Sequence, residues 1–236
     1  MSLKRKSRPA EPNWLLASLP AAEYRRLQPC LHAVTFAQGD VVCEQDAIVR
    51  YLYFPRTTVF SVSKVMRDGS ATEVGTIGAE GFAGLPVLLG MKSSASRCLA
   101  QIAGTAARLD VHAFGAAIGD STRLRTVMRH YAQSFINQIT QAVACNSLHS
   151  LRQRFARWLL MMQDRGGGDT RVTQQDLADV LGVSRESVSS VARELRDDGA
   201  IDYRRGRVTI VDRRRLERAA CECYSAMRAE QVRRLR

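Results

Sequence analysis

From about Leu31 to Val111 the hydrophobic positions fall in short runs, rich in β-branched and aromatic side chains, separated by Gly39-Asp40, Asp68-Gly69, Gly78, Gly81, Gly84, Gly90 and Gly104. That spacing predicts an antiparallel β-roll or barrel. The runs VFSVSKVM and ATEVGTI flank Asp68-Gly69, a dipeptide suited to the positive φ angles of a tight turn, and predict a hairpin there. Beyond Gly119 the period changes. Leu124, Met128, Tyr131, Phe135, Gln138, Ala142 and Cys145 recur at spacings of four and three, as on a heptad seam of a long helix. Dimerisation is the preferred reading of that seam, the alternative being a helix packed against its own domain. A second helix, Leu151 to about Asp164, gathers Phe155, Trp158, Leu159 and Met162 on one face before Gly166-Gly167-Gly168 interrupts it.

Residues 1–13 carry four basic side chains, two prolines and one acid, and read as a mobile basic arm, with Trp14 opening the ordered part. The fold class expected is α+β: a β-roll over 14–118, a long dimerisation helix over 119–150, and a DNA-reading module over 151–236.

The module rests on the segment VTQQDLADVLGVSRESVSSVARELRDDGAI, Val172 to Ile201. Thr173 followed three residues later by Asp176 is a capping-box start. Leu177, Val180 and Leu181 form a buried face, Ala178 is small where two helices cross, and Gly182 sits where a turn needs an unusual backbone angle. Ser184 caps a second helix whose Val188, Val191 and Leu195 point inward, leaving Arg185, Glu186, Ser189, Ser190 and Arg193 outward. Asp198-Gly199 ends it. IDYRRGRVTIV then reads as a hairpin around Arg205-Gly206, a wing on which Arg204, Arg205 and Arg207 can lie along phosphates or simply face solvent.

Gly182-Val183-Ser184-Arg185-Glu186-Ser187-Val188 resembles the G-x-S-R-E-[ST]-V motif of the CRP/FNR family of transcription regulators. The likeness extends over nearly the whole chain: the roll, similar to a cyclic-nucleotide-binding domain, the long dimer helix, the winged helix-turn-helix, and the tail RRRLERAACECY, Arg213 to Tyr224. The resemblance implies that Arg185 and Glu186 read bases, and the chemistry agrees: a guanidinium can bond guanine O6 and N7 together, and a carboxylate accepts from cytosine N4. It places Thr173, Gln175, Ser184, Ser187 and Arg193 on phosphates. The family's second reading arginine aligns with Ser190, too short to fork onto guanine, so the operator is expected to differ there. A symmetric dimer would hold two reading helices about 34 Å apart and call for an inverted repeat. RNA polymerase follows as an implied protein partner.

Formal charge adds weight to a polyanionic partner: the 236 residues carry a net +12. No apolar run reaches the roughly 18–20 residues needed to span a bilayer, and the basic N-terminus has no apolar stretch behind it, so a cytoplasmic protein without membrane contact is expected. Six scattered cysteines read as reduced thiols.

For the sensor, the resemblance implies a Gly-Glu pair on a ribose, an Arg-Ser pair on a phosphate, and a hydroxyl from the long helix. Here Gly84 is followed by Leu85 where the Glu would stand, Arg97 matches the Arg, Cys98 replaces the Ser, and Thr140 falls near the hydroxyl position. Leu85 accepts no hydrogen bond, so cyclic AMP is not the expected effector. An iron–sulfur cluster is not expected either, because no cysteine precedes Cys30. His112, His130 and His149 are candidates for an axial haem ligand, against the ordinary reading of an isolated histidine. Cys221 and Cys223, taken as two residues of one helix, would point apart, so no metal site is expected from them.

Neither a nucleophile with its base nor a phosphate-binding loop is present, and Gly166-Gly167-Gly168 lacks the Lys-Ser or Lys-Thr that would follow in one, which argues against an enzyme. Two alternatives to an effector-controlled regulator stay open: a constitutively active regulator, and an architectural protein that coats DNA by charge alone. Glu186 separates the latter, since an acid facing DNA repels phosphate unless it reads a base.

Overall fold

The computed structural model describes residues 13–166 and 170–233. Residues 1–12 of the expected arm, and Gly167 and Gly168, lie outside the described residues. Asn13 does not belong to an arm: it is buried, its side chain donates to Pro55 O and Gly81 O at 2.9 Å each, and its Oδ1 accepts from Leu16 N as the N-cap of α1 (Trp14–Ala17). Helix α2 (Ala21–Leu27) follows.

The roll is two antiparallel sheets. One orders β1 (His32–Phe36), β7 (Gly104–Asp110) and β3 (Tyr51–Pro55); the other orders β2 (Val41–Cys43), β6 (Arg97–Ile102), β4 (Val59–Val65) and β5 (Ala71–Ile77). Strand alternation puts Leu52, Phe54, Phe60, Ala100 and Leu109 at zero exposure between them. The hairpin expected at Asp68-Gly69 joins β4 to β5, with only Gly69 at positive φ (+85°) while Asp68 Oδ1 accepts from Ser70 N at 2.9 Å. A short helix, α3 (Leu85–Leu88), enters from Gly84 at φ +112°.

Asp110 caps α4 (Val111–Asp120), and Ser121, whose Oγ accepts from Leu124 N at 2.9 Å, caps α5 (Thr122–Leu148), 27 residues and about 40 Å long. Its inward stripe departs from the dimer reading. Leu124, Met128, Tyr131 and Phe135 are buried in the chain's own roll core, with the Phe82 ring tilted against Tyr131 at a centroid distance of 5.0 Å. Gln138 Oε1 accepts from Thr76 N, and Ala142 packs against the core of the DNA module. Ile136 (46%) and Val143 (62%), seven residues apart on another face, are exposed, as is Leu148 (78%) at the helix end. Spacings of four and three arise wherever any one helix face is buried, so the pattern alone could not tell which neighbour covers which face.

The C-terminal module comprises α6 (Leu151–Gly166), β8 (Thr170–Arg171), α7 (Gln174–Leu181), α8 (Arg185–Asp197), β9 (Ile201–Arg204), β10 (Arg207–Ile210), α9 (Arg213–Ala219) and α10 (Cys223–Arg233). Phe155, Trp158, Leu159 and Met162 of α6 join Leu177, Val188, Leu195, Val208 and Leu216 in one core. The module rests on β5 of the roll through part-buried polar contacts. Trp158 Nε1 donates to Glu73 Oε1 at 3.1 Å and Ser61 Oγ to Glu73 Oε2 at 2.6 Å, while Arg165 pairs with Glu80 at 2.7 Å and donates to Thr76 Oγ1. Burial pushes the Glu73 carboxyl up to about 7, against the opposing pull of the Ser61 and Trp158 hydrogen bonds and the Arg157 and Arg165 cations.

Candidate nucleic-acid interface and effector cavity

The reading element is built by two caps and a left-handed turn. Thr173 Oγ1 accepts from Asp176 N at 3.1 Å and Asp176 Oδ2 from Thr173 N at 2.8 Å, closing the capping box of α7. Gly182 ends α7 at φ +64°, where a side chain would be strained and an added Cβ would stand 3.1 Å from Thr72 Oγ1 of the roll. Ser184 Oγ then accepts from Ser187 N at 3.2 Å and starts α8, whose Val188, Val191, Ala192 and Leu195 are buried.

That packing fixes which side chains of α8 reach outward. Arg185, Glu186, Ser190 and Arg193 are exposed, with Ser184 beside them and Ser187 half-buried. Hydrogen bonds from its own backbone amide and from the Ser184 hydroxyl hold the Glu186 carboxyl below the usual range, so it is an ionised acceptor at neutral pH. Thr173 and Gln175 are exposed at the start of α7, where Gln175 Nε2 donates to Asp179 Oδ1 at 2.8 Å.

The wing is the β9–β10 hairpin, extended to three strands by β8. Its turn is Arg205-Gly206, both at positive φ (+49° and +72°), which matches the right-handed twist of the flanking strands. Arg204 and Arg205 are exposed at the tip, Arg204 paired with Asp202 at 3.1 Å. Tyr203 ties the wing down by donating to Val172 O at 2.9 Å, and burial pushes its hydroxyl up to about 12.

Within the roll, a cavity of about 540 Å³ is lined by Tyr51, Tyr53, Val62, Phe82, Gly84, Leu85 and Cys98, with Ile136 and Ile139 of α5 at its helix side. Burial pushes the Cys98 thiol well up, leaving it neutral. Two of the residues proposed from sequence lie elsewhere: Arg97 pairs with Glu44 at 3.2 Å, and Thr140 is exposed with its hydroxyl donating to Asn137 O at 3.0 Å. His112 and His130 are exposed and do not line the cavity.

Cys221 and Cys223 also depart from expectation. They do not share a helix: α9 ends at Ala219, Ala220 is extended (φ −78°, ψ 157°), and Cys223 only begins α10. Their thiols converge on Cys145 and His149 at the end of α5, an i, i+4 pair of potential ligands that the sequence displays and that reading C-x-C alone overlooked.

Residues 153–219 match the Crp-like helix-turn-helix domain and residues 33–121 the cyclic nucleotide-binding domain. The chain belongs to the CRP/FNR family of transcription regulators. This CRP/FNR protein is similar to the nitrogen fixation regulation protein FixK of Bradyrhizobium diazoefficiens, 26% identical over 86% of this chain and 88% of that one. Its fold is shared by a transcriptional regulator of the CRP family from Thermus thermophilus, with a TM-score of 0.69 at 22% identity over 79% of this chain and 96% of that one. A regulator of the CRP/FNR family from Eubacterium rectale superposes with a TM-score of 0.68 at 18% identity, covering 88% of this chain and 98% of that one. The helix-turn-helix thus sits in a family of DNA-binding regulators, not of enzymes. Among the described residues no helix is long and apolar enough to cross a membrane.

Proposed function

We propose that the protein acts as a cytoplasmic homodimer that reads an inverted-repeat operator with α8. The observation that carries this is the face of α8: Arg185, Glu186, Ser190 and Arg193 stand exposed in one row beside the arginines of the wing, on a helix held rigidly by Val188, Val191 and Leu195. Arg185 and Glu186 are assigned to base edges, with Ser190 leaving its position unread by a fork. Thr173, Gln175, Ser184, Ser187, Arg193, Arg204 and Arg205 are assigned to phosphates. RNA polymerase is the protein partner this role calls for.

Dimerisation is assigned to the exposed stripe of α5, Ile136 and Val143, not to Leu124, Met128, Tyr131 and Phe135, which the roll already covers. Ile136 and Ile139 also border the roll cavity, so a ligand there and a partner helix would contact the same side chains. On this reading an effector repacks the dimer helices and reorients the two copies of α8. The aromatic and aliphatic lining, Leu85 among it, suits a small apolar effector better than a cyclic nucleotide.

Selection of bound duplexes from a random DNA pool tests the proposal, run with the wild type, with Glu186→Ala, and with and without cyclic AMP. An inverted repeat recovered by the wild type, with altered preference at one position per half-site in the variant, is the expected result. Recovery of no consensus would leave charge-driven coating as the function, and a repeat seen only with cyclic AMP would overturn the effector assignment.

A further inference from the structure

Four potential metal ligands meet where the dimer helix hands over to the DNA module. Cys145 and His149 come from the last turn of α5 and the residue that caps it, Cys221 and Cys223 from the link between α9 and α10. Their donor atoms all lie within 4.8 Å of one another, the three cysteines are buried, and His149 is nearly so. Cys145 Sγ is 3.5 Å from Cys221 Sγ, and Cys223 Sγ is 3.6 Å from His149 Nδ1.

Those separations suit one small tetrahedral ion. Zinc bonds of about 2.3 Å to sulfur and about 2.0 Å to nitrogen set neighbouring donors roughly 3.5–3.8 Å apart. A polynuclear cluster interposes several irons and sulfides and needs a wider cage. We propose that Cys145, His149, Cys221 and Cys223 form a closed Cys3His zinc site that fastens the C-terminal tail of the DNA module to the end of the dimer helix.

The surroundings match what such a site requires. His149 presents Nδ1 to the thiols, while its Nε2 lies 3.2 Å from Glu222 Oε1, a carboxylate placed to fix the tautomer and ring orientation. Gln141 Nε2 donates to Cys223 Sγ at 3.0 Å, as amides do to metal-bound thiolates. Three thiolates around a divalent ion leave one net negative charge, and the buried Arg157 lies close enough to act electrostatically on Cys145. Among the described residues no other group of this kind converges on a point.

Four protein ligands leave no open position, so the ion is structural and not catalytic. Its place gives it a consequence. The chain turns between α5 and α6 at His149 and Ser150, and the site ties both sides of that turn together: α5 directly, and α6 through α9 and α10, which pack on it. Loss of zinc would free the module from the helix that orients it.

The test uses the full-length chain expressed in zinc-replete medium and purified under reduction without chelator. Elemental analysis is expected to find about one zinc per chain, and replacement by cobalt(II) to give the visible bands of a tetrahedral thiolate complex. Cys221→Ser with Cys223→Ser is expected to abolish both signals. Should that variant fail to fold, His149→Cys is expected to keep the metal with a shifted cobalt spectrum, and His149→Ala to weaken retention against a chelator at least tenfold. If the protein emerges metal-free, titration of the reduced chain with cobalt(II) decides: a saturable tetrahedral spectrum upholds the site. No such spectrum, undiminished metal in the double cysteine variant, or an intact mass showing a Cys145–Cys221 disulfide in the reduced preparation would overturn it.

Discussion

The Glu73→Gln substitution tests how the roll holds the DNA module. The half-buried Glu73 lies between Ser61 of the roll and Trp158 of α6, and loss of solvent around its carboxyl raises it from 4.5 to about 7. A carboxyl raised in the folded state binds its proton more tightly there than in the unfolded chain. The contact is therefore strongest below about pH 4.5 and weakens as pH rises to about 7, beyond which the whole effect is lost. At about 1.4 kcal/mol per pH unit the full effect is on the order of 3 kcal/mol, of which roughly 1 kcal/mol falls between pH 6 and 8. Glutamine keeps the shape, accepts from Trp158 through its carbonyl and donates to Ser61 through its amide, yet does not titrate. Thermal or urea unfolding of both proteins across pH 5–8 should show the variant gaining on the wild type as pH rises, by roughly 2–4 °C between pH 6 and 8. A difference that stays constant with pH, or a variant that loses ground above pH 7, would show that Glu73 is ionised in the fold and that its hydrogen bonds and nearby arginines outweigh burial.

Further substitutions bear on other junctions. Ile136→Asp with Val143→Asp should leave a folded monomer by sedimentation, whereas Phe135→Ala should cost about 3–5 kcal/mol in unfolding with association unchanged; the opposite pattern would return the interface to the inward stripe. Gly182→Ala should destabilise by about 1–2 kcal/mol, because φ is +64° and the new methyl meets Thr72, and Gly182→Asn should cost less; equal stability of all three proteins in urea would contradict the strained turn.

The parts whose geometry is local could be read from the chain's residues alone. The capping box of Thr173 and Asp176, the left-handed Gly182, the Ser184 cap and the period of Val188, Val191 and Leu195 each act within a few residues, so α7, α8 and the outward face of α8 were legible before any packing was known. The same holds for the wing turn at Arg205-Gly206 and for the alternation of the roll strands. Where surfaces meet is set instead by long-range packing. A helix with two apolar stripes carries one period for both, so only packing shows that Met128 and Phe135 face the roll and Ile136 and Val143 do not. Arg97 could be placed on a strand but not in a cavity, because Glu44, just past the end of β2, captures it. Cys145 and Cys221 are far apart in the chain, and their thiols meet only because α10 folds back along α5, a convergence that depends on long-range contacts and leaves no local trace.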